Sequence, residues 1–232
     1  MNSEFIYEMH THTCEVSKCG KISAVELVRF YHDMGYHGIC ITDHFFNGNT
    51  IVSADLPWEK RVEHFCRGYE AAKNEGEKLG MDVFFGWEYT YGGTDFLTYG
   101  LDGQWLLDHP EVLSYRVPEY CDVVHSYGGF IAHAHPFREA AYIEMIRLLP
   151  RHVDAVETYN ACRTDFENHM ADIYADAYGH LKIAGSDNHI GQLPRLAAMS
   201  FPKKMNSIKE IIEAIRSGEG KIKVIECDSK AN

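Results

Sequence analysis

Apolar residues recur along this chain in two rhythms. FIYEM at 5–9 and HGICIT at 37–42 are short continuous runs that read as strands. Between them, KISAVELVRFYHDMGY spaces Ile22, Val25, Leu27, Val28, Phe30 and Tyr31 at helical intervals, and Gly35 ends the helix. LPWEKRVEHFCRGYEAAKNEGEKLG at 56–80 predicts a long helix opening near Pro57 and closing at Gly80. MDVFFGWEYT and TDFLTYGLD read as the next two strands. The stretch 104–127 follows as two short helical pieces. GGFIAHAHP reads as a strand, FREAAYIEMIRLLP as a helix, VDAVETYN as a strand and TDFENHMADIYADAYG as a helix. HLKIAGSDNH and RLAAMSFP are then strands, NSIKEIIEAIRSGE a helix and GKIKVIE a last strand. Strands alternating with helices predict βαβ units, a parallel sheet and a barrel-like α/β fold, with residues 1–232 as one domain.

Length and composition agree with that picture. The chain has 232 residues, 45% of them hydrophobic, enough for a sizeable core. Only the terminal DSKAN reads as disordered. The net charge of -12 argues against a nucleic-acid or anionic-membrane surface, since both select lysine and arginine. No run approaches the ~20 apolar residues of a membrane span. The start, MNSEFIYEMH, does not read as a signal peptide, and the seven cysteines form no CxxC pair; reduced thiols and a cytoplasmic location are expected. Neither a GxGxxG nor a GxxxxGK[ST] loop is present, so nucleotide binding of those kinds is not expected.

The fourteen histidines change the picture, because several sit at the ends of apolar strands. His10 and His12 lie two apart behind FIYEM, and residues two apart on a strand share a side. Asp43 and His44 end HGICIT, Glu88 lies within FFGWEY, and Asp95 opens DFLTYG. His133 and His135 end FIAHAH, and Asp187 and His189 follow KIAG. In a parallel barrel the C-terminal strand ends converge on one face, where active sites form. Clustered carboxylates there would be costly without cations. Imidazole and carboxylate together suit Zn²⁺, Mn²⁺ or Fe, and the candidates outnumber the ligands of one ion. Arg138, directly after AHPF, is the best candidate for gripping a phosphate, with Arg163 and Arg195 behind it. Asp43 is expected to orient a histidine. His133, on the same side as His135 by strand alternation, is a candidate for catalysis.

As an ordered set, HTH at 10–12, TDH at 42–44, Glu88, AHP at 134–136 and GSDNH at 185–189 resemble the PHP (polymerase and histidinol phosphatase) family, over roughly residues 5–200. The resemblance implies a distorted (β/α)7 TIM-like barrel and two to three divalent metal ions. It also implies hydrolysis of a small phosphomonoester, similar to histidinol phosphate or a nucleotide, by a hydroxide bridging the metals. By the same resemblance, His10, His12, Glu88 and Asp187 surround one ion. Glu88 bridges to a second, held also by His135 and by Asp95 in place of the family's histidine. His44 and His189 hold a third. The family's further aspartate or histidine falls here on Ser17 and Lys18. Glu15 is the expected substitute ligand, with Cys19 as an alternative. Lys18 would otherwise supply positive charge beside substrate phosphate. The rival readings are an amidohydrolase-like metal hydrolase and a non-catalytic metal- or phosphate-binding module.

Overall fold

A computed structural model describes residues 4–227; the DSKAN tail lies outside them. Among the described residues fifteen α-helices and β-strands follow one another. They are β1 (Phe5–Thr11), α1 (Ala24–Asp33), β2 (Gly38–Ile41), α2 (Trp58–Leu79), β3 (Asp82–Tyr91), β4 (Thr94–Tyr99), α3 (Gly103–Asp108), α4 (Val117–Ser126), β5 (Phe130–Ala134), β6 (Ala155–Asn160), α5 (Asp165–Tyr178), β7 (Leu181–Gly185), β8 (Arg195–Phe201), α6 (Ile208–Arg216) and β9 (Lys221–Glu226), with a 3-10 turn at Pro110–Ser114 between α3 and α4. Local signals set several boundaries. Ser23 and Glu26 form a capping box at the start of α1, as Thr164 and Glu167 do for α5. Gly80 and Gly179 end α2 and α5 in the left-handed conformation that glycine adopts without a Cβ penalty.

The strands form one sheet in the order β7-β6-β5-β4-β3-β2-β1-β8-β9. It curls until β7 meets β1 and β8. His12 N–H donates to Asn188 O (3.0 Å), and Asn188 N–H donates to His10 O (3.3 Å). The buried Glu8 carboxylate reinforces this closure by accepting from Ser186 N (2.8 Å), His10 N (2.9 Å) and the Tyr31 hydroxyl (2.9 Å). Tyr7, Met9, Leu97, Tyr99, Ala132 and Ile183 fill the barrel interior. The outer faces pack on helices: Ile6, Ile39 and Ile41 meet Leu27, Val28 and Tyr31 of α1, while Phe85, Trp87 and Ile131 meet Tyr120 and Val124 of α4. Among the described residues no helix is long and apolar enough to cross a membrane.

Two features depart from a regular alternation of strand and helix. β4 runs antiparallel to both β3 and β5, joined to β3 by a tight turn at Gly92–Gly93. The helix expected over 137–150 does not form. The segment is irregular, with Tyr142, Met145, Ile146 and Leu148 exposed. It is pinned over the β3–β4 turn by the Arg147 guanidinium donating to Gly92 O and by Ile143 beside Gly93. Its apolar side chains stay exposed instead of packing on the sheet, and helix propensity alone is too weak to hold a helix without such packing.

Candidate metal centre

The C-terminal ends of β1, β2, β3, β5, β6 and β7 open on one mouth, and the reversed β4 brings its N-terminal end to the same place. Register irregularities aim the side chains. The pairing of β1 with β2 shifts between Glu8 and Thr11, so His10 and His12 leave the outward row of Ile6 and Glu8 and turn into the barrel. Glu88 continues the inward row of Phe84 and Gly86 on β3. His135 and Asp187 sit just past β5 and β7 with positive φ (27° and 53°), a region that non-glycine residues rarely occupy. Gly185 lets β7 pass close by, since a Cβ there would come within 2.5 Å of His10 Cβ.

Four buried side chains converge. His10 Nε2 lies 3.1 Å from His12 Nε2, 3.4 Å from Glu88 Oε1 and 3.5 Å from Asp187 Oδ1. His12 Nε2 lies 3.6 Å from Glu88 Oε2 and 3.4 Å from Asp187 Oδ1. Ligand atoms about 2.0–2.1 Å from one tetrahedral ion stand about 3.3 Å from each other, so this spacing fits a shared cation.

The hydrogen bonds behind the rings select the same tautomer for both. His10 Nδ1 donates to Glu157 Oε1 (2.9 Å), leaving Nε2 to face the cluster. His12 Nδ1 lies 3.1 Å from Ser17 Oγ, whose proton goes to Asp43 Oδ1 (2.6 Å), so His12 must be the donor and its Nε2 carries a lone pair. Two lone pairs 3.1 Å apart require positive charge at that point, either a proton or a metal ion. Burial opposes charge on His10, yet Glu157 and Asp187 outweigh it and hold the ring well above its usual pKa. Burial, with His189 and His44 nearby, keeps His12 neutral. Burial likewise opposes charge on Glu88 and Asp187, but the surrounding histidines hold both well below the usual carboxylate range. A metal ion would displace the His10 proton and meet the same demand.

The neighbouring groups extend the cluster on both sides. Toward β4, His135 Nε2 is 3.1 Å from Glu88 Oε1, and Glu88, Asp95 and His135 can share an ion. Arg138 Nη1 is 3.2 Å from Asp95 Oδ2, and its guanidinium lies over the Tyr142 ring. Burial and the Glu88 charge push the Asp95 carboxyl up. Toward β2, His12, His44 and His189 form another group able to hold a cation. His44 Nδ1 and Glu88 Oε2 are 2.6 Å apart but out of line for a hydrogen bond. Both sides open into one cavity of about 700 Å³, lined by Asn47, Glu88, Asp95, Arg138, Arg163 and His189 among others.

Three expectations need correction. His133 does not face the cluster. It lies on the outer row of β5, stacked on Phe96 (5.0 Å between ring centres) and edge-on to Tyr174 of α5, with both nitrogens buried and unpartnered. Strand alternation fails here because β5 ends at Ala134, and the positive φ of His135 sends that ring alone inward. Glu15 is also elsewhere: its carboxylate accepts from the Ala24 N–H at the start of α1 (3.0 Å), where the helix dipole favours an anion. Lys18 is exposed and does not line the cavity; its backbone is tied to Asn49 O (2.8 Å). The side chain that fills this place is Cys19, with Sγ 3.1 Å from His44 Nε2. Burial would raise its pKa, but hydrogen bonds with His189 and His44 pull it down to about 6.

The position of His133 has a consequence for acid stability. Burial holds the ring neutral down to about pH 3 in the folded chain, against an ordinary value of 6.5. Between those values the unfolded chain binds the extra proton. The stabilisation is therefore complete above pH 6.5 and falls as pH drops, by up to about 1.4 kcal/mol per pH unit. His133→Phe should flatten that limb in thermal melts run from pH 7 to 4. A melt profile with the wild-type slope would show that the ring is solvated.

Glu157 and Ser17 are the parts sequence reasoning left unassigned. Glu157 fixes His10, accepts from His135 N (3.0 Å) and holds Asn160 Nδ2 (2.9 Å). A buried acid alternating inward with Ala155 on β6 was the available signal. Asp43 does act through another residue, gripping Thr13 N (2.6 Å), Thr13 Oγ1 (2.7 Å) and Ser17 Oγ. Arg195 is occupied by Asp165 and backbone carbonyls away from the mouth.

The model of the PHP domain family matches residues 8–229. No curated protein sequence matches the chain. Among solved structures, the chain is similar to a two-domain protein containing a predicted PHP-like metal-dependent phosphoesterase from Bacteroides vulgatus (TM-score 0.70, 16% identity, 95% of this chain and 65% of that one). It is similar to the lesion-specific endonuclease PfuEndoQ from Pyrococcus furiosus (TM-score 0.65, 15% identity, 95% of this chain and 58% of that one). It is also similar to an amidohydrolase from Chromobacterium violaceum bound to sulfate (TM-score 0.57, 13% identity, 97% of this chain and 99% of that one). The chain spans less than two thirds of the first two proteins, and at these identities the likeness is one of fold.

Proposed function

The chain belongs to the PHP domain family, and from that premise we propose that it is a metal-dependent phosphoesterase acting on a small phosphomonoester. The observation that carries the reading is the convergence of His10, His12, Glu88 and Asp187 at 3.1–3.6 Å, with Glu88 and Asp187 reaching a cavity that Arg138 also lines. In this reading Asp95 and His135 serve a second ion with Glu88, and His44 and His189 a third. Divalent cations bound there supply Lewis acidity and neutralise charge on a phosphoryl group.

The protein's own contribution is orientation. Glu157 and Ser17 hold the two β1 rings in the tautomer that presents Nε2, which removes the need to reorganise when substrate arrives. The Arg138 fork, backed by Asp95 and flanked by Tyr142, offers paired N–H groups to phosphate oxygens. Arg163 lines the same cavity with a buried, unpartnered Nε. Two arginines at one cavity suit a compact anion better than a polynucleotide, whose backbone needs a long basic track. Histidinol phosphate-like and nucleotide-like monoesters both meet that description.

The test is elemental analysis beside hydrolysis of an aryl phosphate with added Mn²⁺. Two to three equivalents of metal and metal-dependent turnover are expected. Arg138→Ala should keep its metal and lose about 10²–10³-fold in kcat/KM, the usual loss on removing one charge-stabilising donor. Turnover of amides or lactones but of no phosphoester would replace this reading with an amidohydrolase-like one. Metal binding with neither activity would leave a binding module.

A further inference from the structure

We propose that Cys19 completes the cation subsite of His44 and His189, giving it a thiolate ligand and a preference for soft, thiolate-accepting ions such as Zn²⁺ over Mn²⁺ or Mg²⁺. This deepens the phosphoesterase reading and rests on it. Cys19 Sγ is 3.1 Å from His44 Nε2, and Cys19 lines the same cavity wall as His44 and His189. A sulfur and a nitrogen on one tetrahedral zinc stand about 3.5 Å apart, so the Cys19–His44 pair needs a shift of only a few tenths of an ångström to share an ion. His189 Nδ1 donates to Asp187 O (2.8 Å), which leaves its Nε2 free to bind.

The backbone holds the cysteine in place. Lys21 N–H donates to His189 O (2.7 Å), Lys18 N–H to Asn49 O (2.8 Å) and Gly20 N–H to Ser17 O (3.0 Å). The loop bearing the thiol is thereby tied to the segment bearing His189. Cys19 and His189 both line the cavity, so a position on the ion would remain open to it. Cys14, by contrast, is exposed and lies beside Glu15. The hard oxygen ligand that Glu15 would have offered is spent on α1. A site of two imidazoles and one thiolate favours zinc-type ions, while an all-oxygen or mixed oxygen site suits Mn²⁺ and Mg²⁺. Binding forms a sulfur–metal bond and releases to solvent the proton that Cys19 and His44 share between Sγ and Nε2.

Cobalt(II) provides the test. The metal-stripped full chain titrated with Co²⁺ should develop visible d–d absorption together with an intense near-ultraviolet sulfur-to-cobalt band, growing in with one of the bound equivalents. Cys19→Ser should lose that band and about one equivalent, while Cys14→Ser keeps both. Zinc should also protect Cys19 from iodoacetamide, read by mass spectrometry of the labelled peptide. Cobalt bound with d–d absorption but no sulfur band, or a band that survives Cys19→Ser, overturns this proposal and leaves the phosphoesterase reading standing. No cobalt bound by any variant overturns both.

Discussion

Glu88→Gln is expected to abolish turnover, lowering kcat by about 10³-fold or more, and to remove at least one bound metal while the barrel stays folded. Glu88 is the residue on which the two sides of the cluster meet. Its Oε1 lies 3.4 Å from His10 Nε2 and 3.1 Å from His135 Nε2, and its Oε2 lies 2.6 Å from His44 Nδ1 and 3.6 Å from His12 Nε2. The amide keeps the shape but removes the negative charge that several cations would share, and effects on residues that act as a unit are large and non-additive. Added Mn²⁺ or Zn²⁺ should raise the Tm of the wild-type protein by mass action. In the variant that shift should shrink together with the metal content. Wild-type activity or an unchanged metal-induced Tm shift in Glu88→Gln would remove Glu88 from the centre.

Glu157→Gln carries the second largest expected effect, although Glu157 touches none of the proposed substrate. Its two oxygens accept from His10 Nδ1, His135 N and Asn160 Nδ2, all donors. A glutamine must turn its own NH₂ toward one of them. A donor then faces a donor in a fully buried site, at a cost of about 1–3 kcal/mol. Where the amide nitrogen meets His10, the ring loses the partner that fixes its tautomer. Metal affinity should fall about 10–100-fold, as when such orienting partners are lost elsewhere. A chelator-competition titration measures that drop. Restoration of kcat at saturating metal would mark Glu157 as a positioning residue. Wild-type affinity would mean that His10 is oriented by the strand alone.

Much of this centre was legible in the sequence, because its side chains sit at strand ends and strand ends are marked by the change from apolar runs to polar residues. The pairs His10/His12 and Asp187/His189, with Glu88 inside FFGWEY, stand out for that reason, and the structure brings all five into one cluster. The residues that failed did so where spacing has to be converted into direction. His133 and His135 share a period of two, but one positive φ separates them. Glu15 and Lys18 lie in a loop, where no period exists, and the competition between Glu15 and Cys19 was decided by the unsatisfied Ala24 N–H at the start of α1.

By itself, then, the sequence determined the alternation of strand and helix, the apolar faces that build the barrel, and the donor types offered at its mouth. These are local properties: hydrophobic period, capping residues and the chemistry of each side chain act over a few neighbours. The tertiary structure alone decided that β4 reverses and so delivers Asp95 to the mouth, that a shift in β1 turns His10 and His12 inward, and that residues 137–150 stay irregular over the Gly92–Gly93 turn. It alone paired His10 with Glu157, 147 positions away. Those outcomes depend on strand register and on which backbone donors remain unsatisfied once the barrel closes, and both are set by partners distant in the chain.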